Sequence, residues 1–170
     1  TAPTKVVLES MGVVTSARSA IVVDRRSKEV LFEKNIHTPR AIGSITKLMT
    51  AYVFLQGEPD LNAPAPLTAE DVRLGAALQL SVGETVTVRN LLEASLVGSD
   101  NSATAAIARL SGLPLGDFVA RMNEEAASMG MQETTFADPS GLSSENISVV
   151  TDLVKMFDVI LQNETIQEIT

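Results

Sequence analysis

The chain contains no cysteine and no tryptophan, and it has a single histidine among its 170 residues. Without cysteine, it forms no disulfide, no thiol nucleophile and no cysteine-ligated zinc site. One histidine also argues against a histidine metal cluster and against a Ser-His-Asp triad. That histidine, His37, stands near Pro39 in a predicted loop, and we interpret it as a surface residue.

Positive charge is also scarce, because the formal net charge is −8 and the pI is about 4.6. This balance argues against nucleic acid and anionic membrane surfaces as partners. No apolar run is long enough to cross a membrane, and no signal-peptide pattern occurs within these 170 residues. We interpret Thr1 as the mature end after cleavage, in a protein that is exported to the periplasm or another extracytoplasmic space. The length and a hydrophobic fraction of 45% suit one domain with a real core.

Hydrophobic periodicity predicts an N-terminal β-hairpin followed mainly by helices. The predicted hairpin strands are 19–24 and 29–33, and prolines and glycine make 57–66 a predicted loop. Residues 67–86 are predicted to be irregular, with strand-like pieces near 79–80 and 85–87. The predicted helices are 44–56, 88–97, 101–111, 115–129 and 149–162.

Ser44 and Lys47 are three residues apart at the start of the first predicted helix, so they share one face. A serine hydroxyl becomes a nucleophile when a base takes its proton, and a buried lysine with a lowered pKa can be that base. The helix N-terminus also offers N–H groups to an oxyanion. The alternative is that Ser44 is an N-cap and Lys47 is solvated, since about one Ser-x-x-Lys is expected by chance in a chain of this length.

A second polar group, Ser99-Asp100-Asn101, lies between two predicted apolar helices. In such a turn, Ser99 could relay a proton and Asn101 could hold a substrate amide. The alternative is an ordinary turn in which one of these side chains caps the next helix.

Together, the two motifs match the Ser-x-x-Lys and Ser-Asp-Asn pair of penicillin-binding proteins and class A β-lactamases. The chain resembles the serine D-alanyl-D-alanine carboxypeptidase and endopeptidase family, the low-molecular-weight penicillin-binding proteins. The resemblance extends over most of the chain and includes the hairpin at 20–24 and 29–35, the approach to the serine at 39–43, and segments 129–131, 134–136, 138–142 and 146–148.

The resemblance implies an α/β fold of the penicillin-binding-protein and β-lactamase type, with a helical region packed on an antiparallel sheet. Only the N-terminal hairpin of that sheet is evident here. It also implies acyl transfer on D-Ala-D-Ala peptides of peptidoglycan, with β-lactams as covalent inhibitors and with no metal or organic cofactor. In this scheme Ser44 attacks, Lys47 takes its proton, Ser99 relays a proton to the leaving amine, and Asn101 orients the acyl group.

Two departures from the family pattern limit these expectations. Ser144-Glu145-Asn146 is a second Ser-x-Asn string, but family order selects Ser99 and Asn101, so we interpret Asn146 as a turn residue. The family's third motif, Lys-Thr-Gly, does not occur in the sequence. We therefore expect an N-terminal extension (1–18) and a C-terminally truncated DD-peptidase domain (19–170) that is weak or inactive alone.

Two other functions stay open. A non-catalytic module could bind a wall peptide or a partner, and a second polypeptide could complete the sheet through an unpaired edge. A class A β-lactamase is less favoured, because nothing around Glu145 resembles the loop that carries the deacylating glutamate in that class.

Overall fold

The structure is a computed structural model that describes residues 2–3, 13–75 and 81–170. Within these ranges, helices dominate and the strands are short. The strands are β1 (Ala20–Val23), β2 (Val30–Lys34), β3 (Arg40–Ala41), β4 (Pro64–Pro66), β5 (Thr85–Thr87) and β6 (Ile147–Ser148). The α-helices are α1 (Thr46–Leu55), α2 (Val88–Leu96), α3 (Asn101–Leu110), α4 (Leu115–Ser128), α5 (Val150–Ile160) and α6 (Glu164–Ile169).

Helix α1 is the centre of the core and contacts α2, α3, α4 and α5. Its side chains are buried on most sides because its sequence is apolar on nearly every face. Polar residues start two of the surrounding helices. The Thr87 hydroxyl accepts from the Asn90 N–H at the start of α2, and the Asp100 carboxylate accepts from the Ala103 N–H at the start of α3.

The strands of the described residues form three antiparallel pairs, β1–β2, β3–β6 and β4–β5. In the hairpin, Ala20 lies opposite Lys34. The β3–β6 pair sets Arg40 opposite Ser148, and so joins the segment before α1 to the segment before α5. The hairpin leaves three apolar side chains about half exposed, those of Val22, Val30 and Leu31.

The hairpin and the five predicted helices are confirmed, with boundaries that shift by one or two residues. The predicted loop 57–66 is wrong at its end, because Pro64–Pro66 forms β4 and pairs with β5. Proline lacks an N–H, but a short strand with a free edge tolerates it, and the buried Ala65 anchors the strand. Helix α6 was not predicted, and it begins where the Asn163 side chain accepts from the Ile166 N–H.

Some sequence predictions fall outside the described residues. They are the strand-like piece near 79–80 and most of the expected extension 1–18, of which only 2–3 and 13–18 are described. None of the helices within the described ranges is long and apolar enough to cross a membrane.

A buried ion pair joins the segment after β4 to helix α3. The Asp71 side chain is 2% exposed, and its two oxygens accept from Arg109 at 2.8 and 2.9 Å. Burial would raise the pKa of Asp71, but the Arg109 guanidinium and the Thr68 donors outweigh it and hold that pKa below its ordinary value. The carboxylate therefore stabilises the fold above its unfolded-state pKa, and this contribution is lost as the pH falls through the lower folded-state pKa.

Replacing Arg109 with methionine should lower the free energy of unfolding by about 3 kcal/mol or more, because it leaves the Asp71 charge buried and unpaired. The matched control is Arg89→Met, which breaks a surface pair with Glu168 at 3.5 Å and should cost less than about 1 kcal/mol. Urea unfolding at neutral pH measures both. Equal losses in the two variants would contradict the assignment.

Candidate active site

Ser44 lies in a single 3₁₀ turn, Gly43–Ile45, that leads directly into α1. Gly43 has a φ of 52°, in the left-handed region that favours glycine, and this bend sets the approach to the helix. From here the Ser44 Oγ is 3.1 Å from the Lys47 Nζ. The predicted proximity of these two side chains is confirmed.

The Lys47 amine is buried and has three acceptors from three parts of the chain. The residue is 2% exposed, and its Nζ donates to Ser44 Oγ, to Asn101 Oδ1 at 2.8 Å and to the Ser140 carbonyl at 2.8 Å. Burial lowers the pKa of Lys47, while the carboxylates of Asp138 and Asp100 oppose this effect. A lysine so placed is suited to lose its proton and then to accept one from the Ser44 hydroxyl.

Ser99 lies in the turn between α2 and α3, and its Oγ donates to Ser44 Oγ at 2.9 Å. Its φ of 55° is unusual for a residue other than glycine. A conformation of this kind costs about 1 kcal/mol or more and persists only where the surroundings hold it. Here the turn is closed by the Asp100 N–H, which donates to the Ala94 carbonyl. The structure thus brings Ser99 into the same cleft as Ser44 and Lys47, as predicted.

Asn101 is the first residue of α3 and uses both ends of its side-chain amide. Its Oδ1 accepts from Lys47, and its Nδ2 donates to the Leu74 carbonyl at 2.9 Å. The structure therefore gives Asn101 a contact with the lysine that the sequence reading did not include. Its predicted contact with substrate stays a prediction.

The segment 138–146 contains none of the site residues predicted from the sequence, yet it forms the third side of the site. The Ser140 carbonyl accepts from Lys47. Asn146, interpreted as a turn residue, does precede β6, but it is also completely buried. Its Oδ1 accepts from the N–H groups of Ala137 and Asp138, and its Nδ2 donates to Thr46 Oγ1. The signals in the sequence are the resemblance of 138–142 and 146–148 to the family and the polar, glycine-containing run at 138–146.

A groove of about 400 Å³ opens beside the nucleophile and is lined by Ser44, Lys47 and Ser99 together with apolar side chains of α1, α2 and α5. A larger cavity of about 550 Å³ is lined in part by the 138–142 segment, and Ser44 does not line it. Chemistry at the serine belongs to the smaller groove. Across the described ranges, no three histidine, aspartate or glutamate side chains come together as a metal site would need.

Comparison with known proteins agrees with this geometry. The family description that matches, D-alanyl-D-alanine carboxypeptidase, covers residues 7–170. The chain belongs to this family. A D-alanyl-D-alanine endopeptidase from Haemophilus influenzae is 38% identical over 156 residues, which are 91% of this chain and 53% of that protein. An endopeptidase of the same name from Pseudomonas aeruginosa is 34% identical over 81% of this chain and 45% of its own length.

Solved structures of the family share the fold. A D-alanyl-D-alanine carboxypeptidase from Mycobacterium tuberculosis aligns with a TM-score of 0.82 at 30% identity, over 95% of this chain and 62% of that one. A mutant of a Streptomyces DD-transpeptidase gives a TM-score of 0.85 at 27% identity, over 93% of this chain and 65% of its own. The predicted fold class is therefore confirmed. The chain spans about half the length of the curated relatives it matches.

Asp100→Asn should shift the pH–rate profile for acylation of Ser44, so that the rise in rate on its low-pH side (the acid limb) occurs at lower pH. The substitution keeps the N-cap, since asparagine caps as well as aspartate, but it removes one of the two charges that raise the pKa of Lys47. Lys47 then becomes neutral at a lower pH. Acylation rates measured across pH check this, with Asp152→Asn as the control because that carboxylate pairs with Lys155 instead. An unchanged or upward-shifted limb would contradict it.

Proposed function

We propose that this chain carries the nucleophile, base and proton relay of a serine acyl transferase that hydrolyses D-Ala-D-Ala peptides of peptidoglycan. The observation that carries the proposal is the chain of contacts from Lys47 Nζ to Ser44 Oγ, at 3.1 Å, and from Ser44 Oγ to Ser99 Oγ, at 2.9 Å. These distances suit transfer of a proton between a nucleophile and its base. The family membership supports the substrate class.

In the proposed reaction, neutral Lys47 takes the Ser44 proton as Oγ attacks the carbonyl of the penultimate D-alanine. Ser99 then passes a proton to the leaving amine, with Lys47 as its partner, and the C–N bond breaks to leave an ester on Ser44. Water hydrolyses the ester in the second half of the cycle. Asn101 orients the acyl group, and the Ser44 N–H donates to the oxyanion.

The leaving amine distinguishes the two possible activities. A carboxypeptidase releases free D-alanine, whereas an endopeptidase releases the amine of a cross-linked peptide chain. A peptidoglycan substrate supports the further proposal that the protein acts outside the cytoplasm, in the periplasm or an equivalent space. β-Lactams mimic the D-Ala-D-Ala amide and should acylate the same serine. The half-exposed apolar residues Val22, Val30 and Leu31 support the further proposal that more polypeptide covers the hairpin.

A labelled penicillin should add its mass to the protein, and Ser44→Ala should abolish the addition, because the hydroxyl is the acylated group. Intact-mass spectrometry measures this for the 170-residue chain beside the full product of its gene. Ser27→Ala is the control, since its hydroxyl donates to Asp24 in the hairpin turn, away from the site. Failure of the full product to react would favour a non-catalytic binding module. Comparable labelling of both proteins would contradict the expectation that the chain is weak alone.

Lys47→Ala should reduce penicillin acylation by far more than tenfold while most of the fold remains, because Ser44 loses its base. General-base assistance is worth about 10²–10⁴ in rate. Stopped-flow labelling gives the rate, and far-ultraviolet circular dichroism reports the fold. Lys155→Ala is the matched lysine control, since that amine pairs with Asp152 on α5. A Lys47→Ala rate within about tenfold of the parent would rule out Lys47 as the base.

A further inference from the structure

Three successive residues of the 138–143 loop run along one face of the nucleophile helix. The Pro139 carbonyl accepts from Thr50 Oγ1 at 2.6 Å, and the Ser140 carbonyl accepts from Lys47 Nζ at 2.8 Å. Gly141, the third residue, packs against the Gly43 peptide. Positions 43, 47 and 50 have the spacing of one helical face, so the loop follows this face in the opposite direction.

The contact at Gly141 leaves no room for a side chain. A Cβ built on Gly141 would lie 1.9 Å from the Gly43 carbonyl oxygen and 3.0 Å from the Ser44 nitrogen. The loop backbone therefore touches the peptide that carries the nucleophile. Gly141 also has a φ of 84°, which only glycine adopts readily.

The Asp138 carboxylate folds this loop. Its Oδ1 accepts from the N–H and hydroxyl of Ser140, at 2.6 and 2.8 Å, and from the Gly141 N–H at 2.8 Å. Its Oδ2 accepts from the Ser143 N–H at 2.5 Å. A loop without regular secondary structure is thereby fixed from inside by one side chain, and its carbonyls are left pointing toward α1.

We propose that Asp138 and Gly141 are positioning residues of the acyl-transfer site: Asp138 shapes the loop, and Gly141 lets it hold the Ser44 peptide and the Lys47 amine in register. This inference rests on the proposed function. Neither residue touches the reacting atoms. Each acts through the contacts that the loop makes with Lys47 and with the backbone at Ser44.

The charge of Asp138 acts on the same lysine. Hydrogen bonds from Ser143, Ser140 and Gly141 outweigh burial and hold the pKa of Asp138 below its ordinary value, so the group stays ionised. That charge raises the pKa of Lys47 against the effect of burial. A change at Asp138 should therefore alter the pH dependence of the reaction, which purely structural damage elsewhere would not do.

Gly141→Ala tests the close contact, with Gly130→Ala as its matched control. Gly130 has a similar φ of 73°, but nothing lies within 4 Å of the Cβ position, so alanine there brings the backbone strain without the clash. A displacement of about 1 Å at a reacting centre costs about 10²-fold in rate. The variants are made in the full product of the gene, and the parent is that protein without substitution. We expect a loss of this size in penicillin acylation for Gly141→Ala and a rate within about threefold of the parent for Gly130→Ala. Equal rates in the two variants overturn the role of Gly141.

Asp138→Ala and Asp138→Asn test the organising carboxylate. Asparagine retains an oxygen in place of Oδ1 but sets an NH₂ against the Ser143 N–H, so it should recover part of the rate that alanine loses. The acid limb in Asp138→Asn should move to lower pH, because Lys47 loses a neighbouring anion. Asp152→Asn and Asp152→Ala are the controls, since that buried carboxylate also accepts several bonds, from Glu133 N, Thr134 Oγ1 and Lys155 Nζ. They should lower the melting temperature and leave the acylation profile in place.

The outcomes separate this inference from the proposed function. If the parent is labelled and the Asp138 variants match it in rate and profile, the inference is overturned and the function stands. If the parent is not labelled, the function is overturned, and the role of the two residues in acyl transfer is overturned with it. NMR titration of the Lys47 Cε then decides, without any substrate, the remaining part of the inference, that Asp138 acts on the Lys47 amine. A titration midpoint of Lys47 that is lower in Asp138→Asn but unchanged in Asp152→Asn supports it. An unchanged midpoint in both variants overturns it.

Discussion

The amine of Lys47 is held by acceptors from three segments that are far apart in the chain: its own helix turn, the start of α3, and the 138–143 loop. A lysine side chain in an apolar core is unfavourable unless each polar hydrogen finds a partner. Meeting this requirement forces the three segments to one point. The positions of the nucleophile and of the polar wall of the groove depend on that convergence, whereas the packing of α1 rests on its apolar side chains.

Two opposing influences set the chemistry of that amine. Burial lowers the pKa of Lys47 and so favours the neutral form that a base needs, while the carboxylates of Asp138 and Asp100 favour the charged form. Both carboxylates also stabilise the structure, because Asp138 holds the 138–143 loop in place and Asp100 caps helix α3. Stability and reactivity are therefore coupled through the same side chains, which is common where function requires perturbed pKa values.

Sequence reasoning succeeded where the relevant contacts are local. The spacing of Ser44 and Lys47 predicts a shared helix face, and apolar periodicity predicts the helices around them. Ser99 and Asn101 could be assigned to the same cleft only through the paired motif, because no local rule connects residues 55 positions apart. The Ser140 contact could not be predicted, since a backbone carbonyl is the same for every residue type. Strand β4 could not be predicted from its own prolines, because it forms through pairing with β5, which lies far along the chain.

The long-range origin of the site has a consequence for the order of events during folding. The contacts that Lys47 makes with Asn101 and Ser140 join residues 54 and 93 positions apart, and the Asn146 contact with Thr46 joins residues 100 apart. Contacts of this kind form late, after local helices, because closing long loops is slow. A growing chain that has not yet extended past residue 146 contains the serine and the lysine, but the lysine lacks the loop that encloses it. Under the proposed function, the chain would therefore acquire its reactivity toward amides only after these long-range contacts have closed.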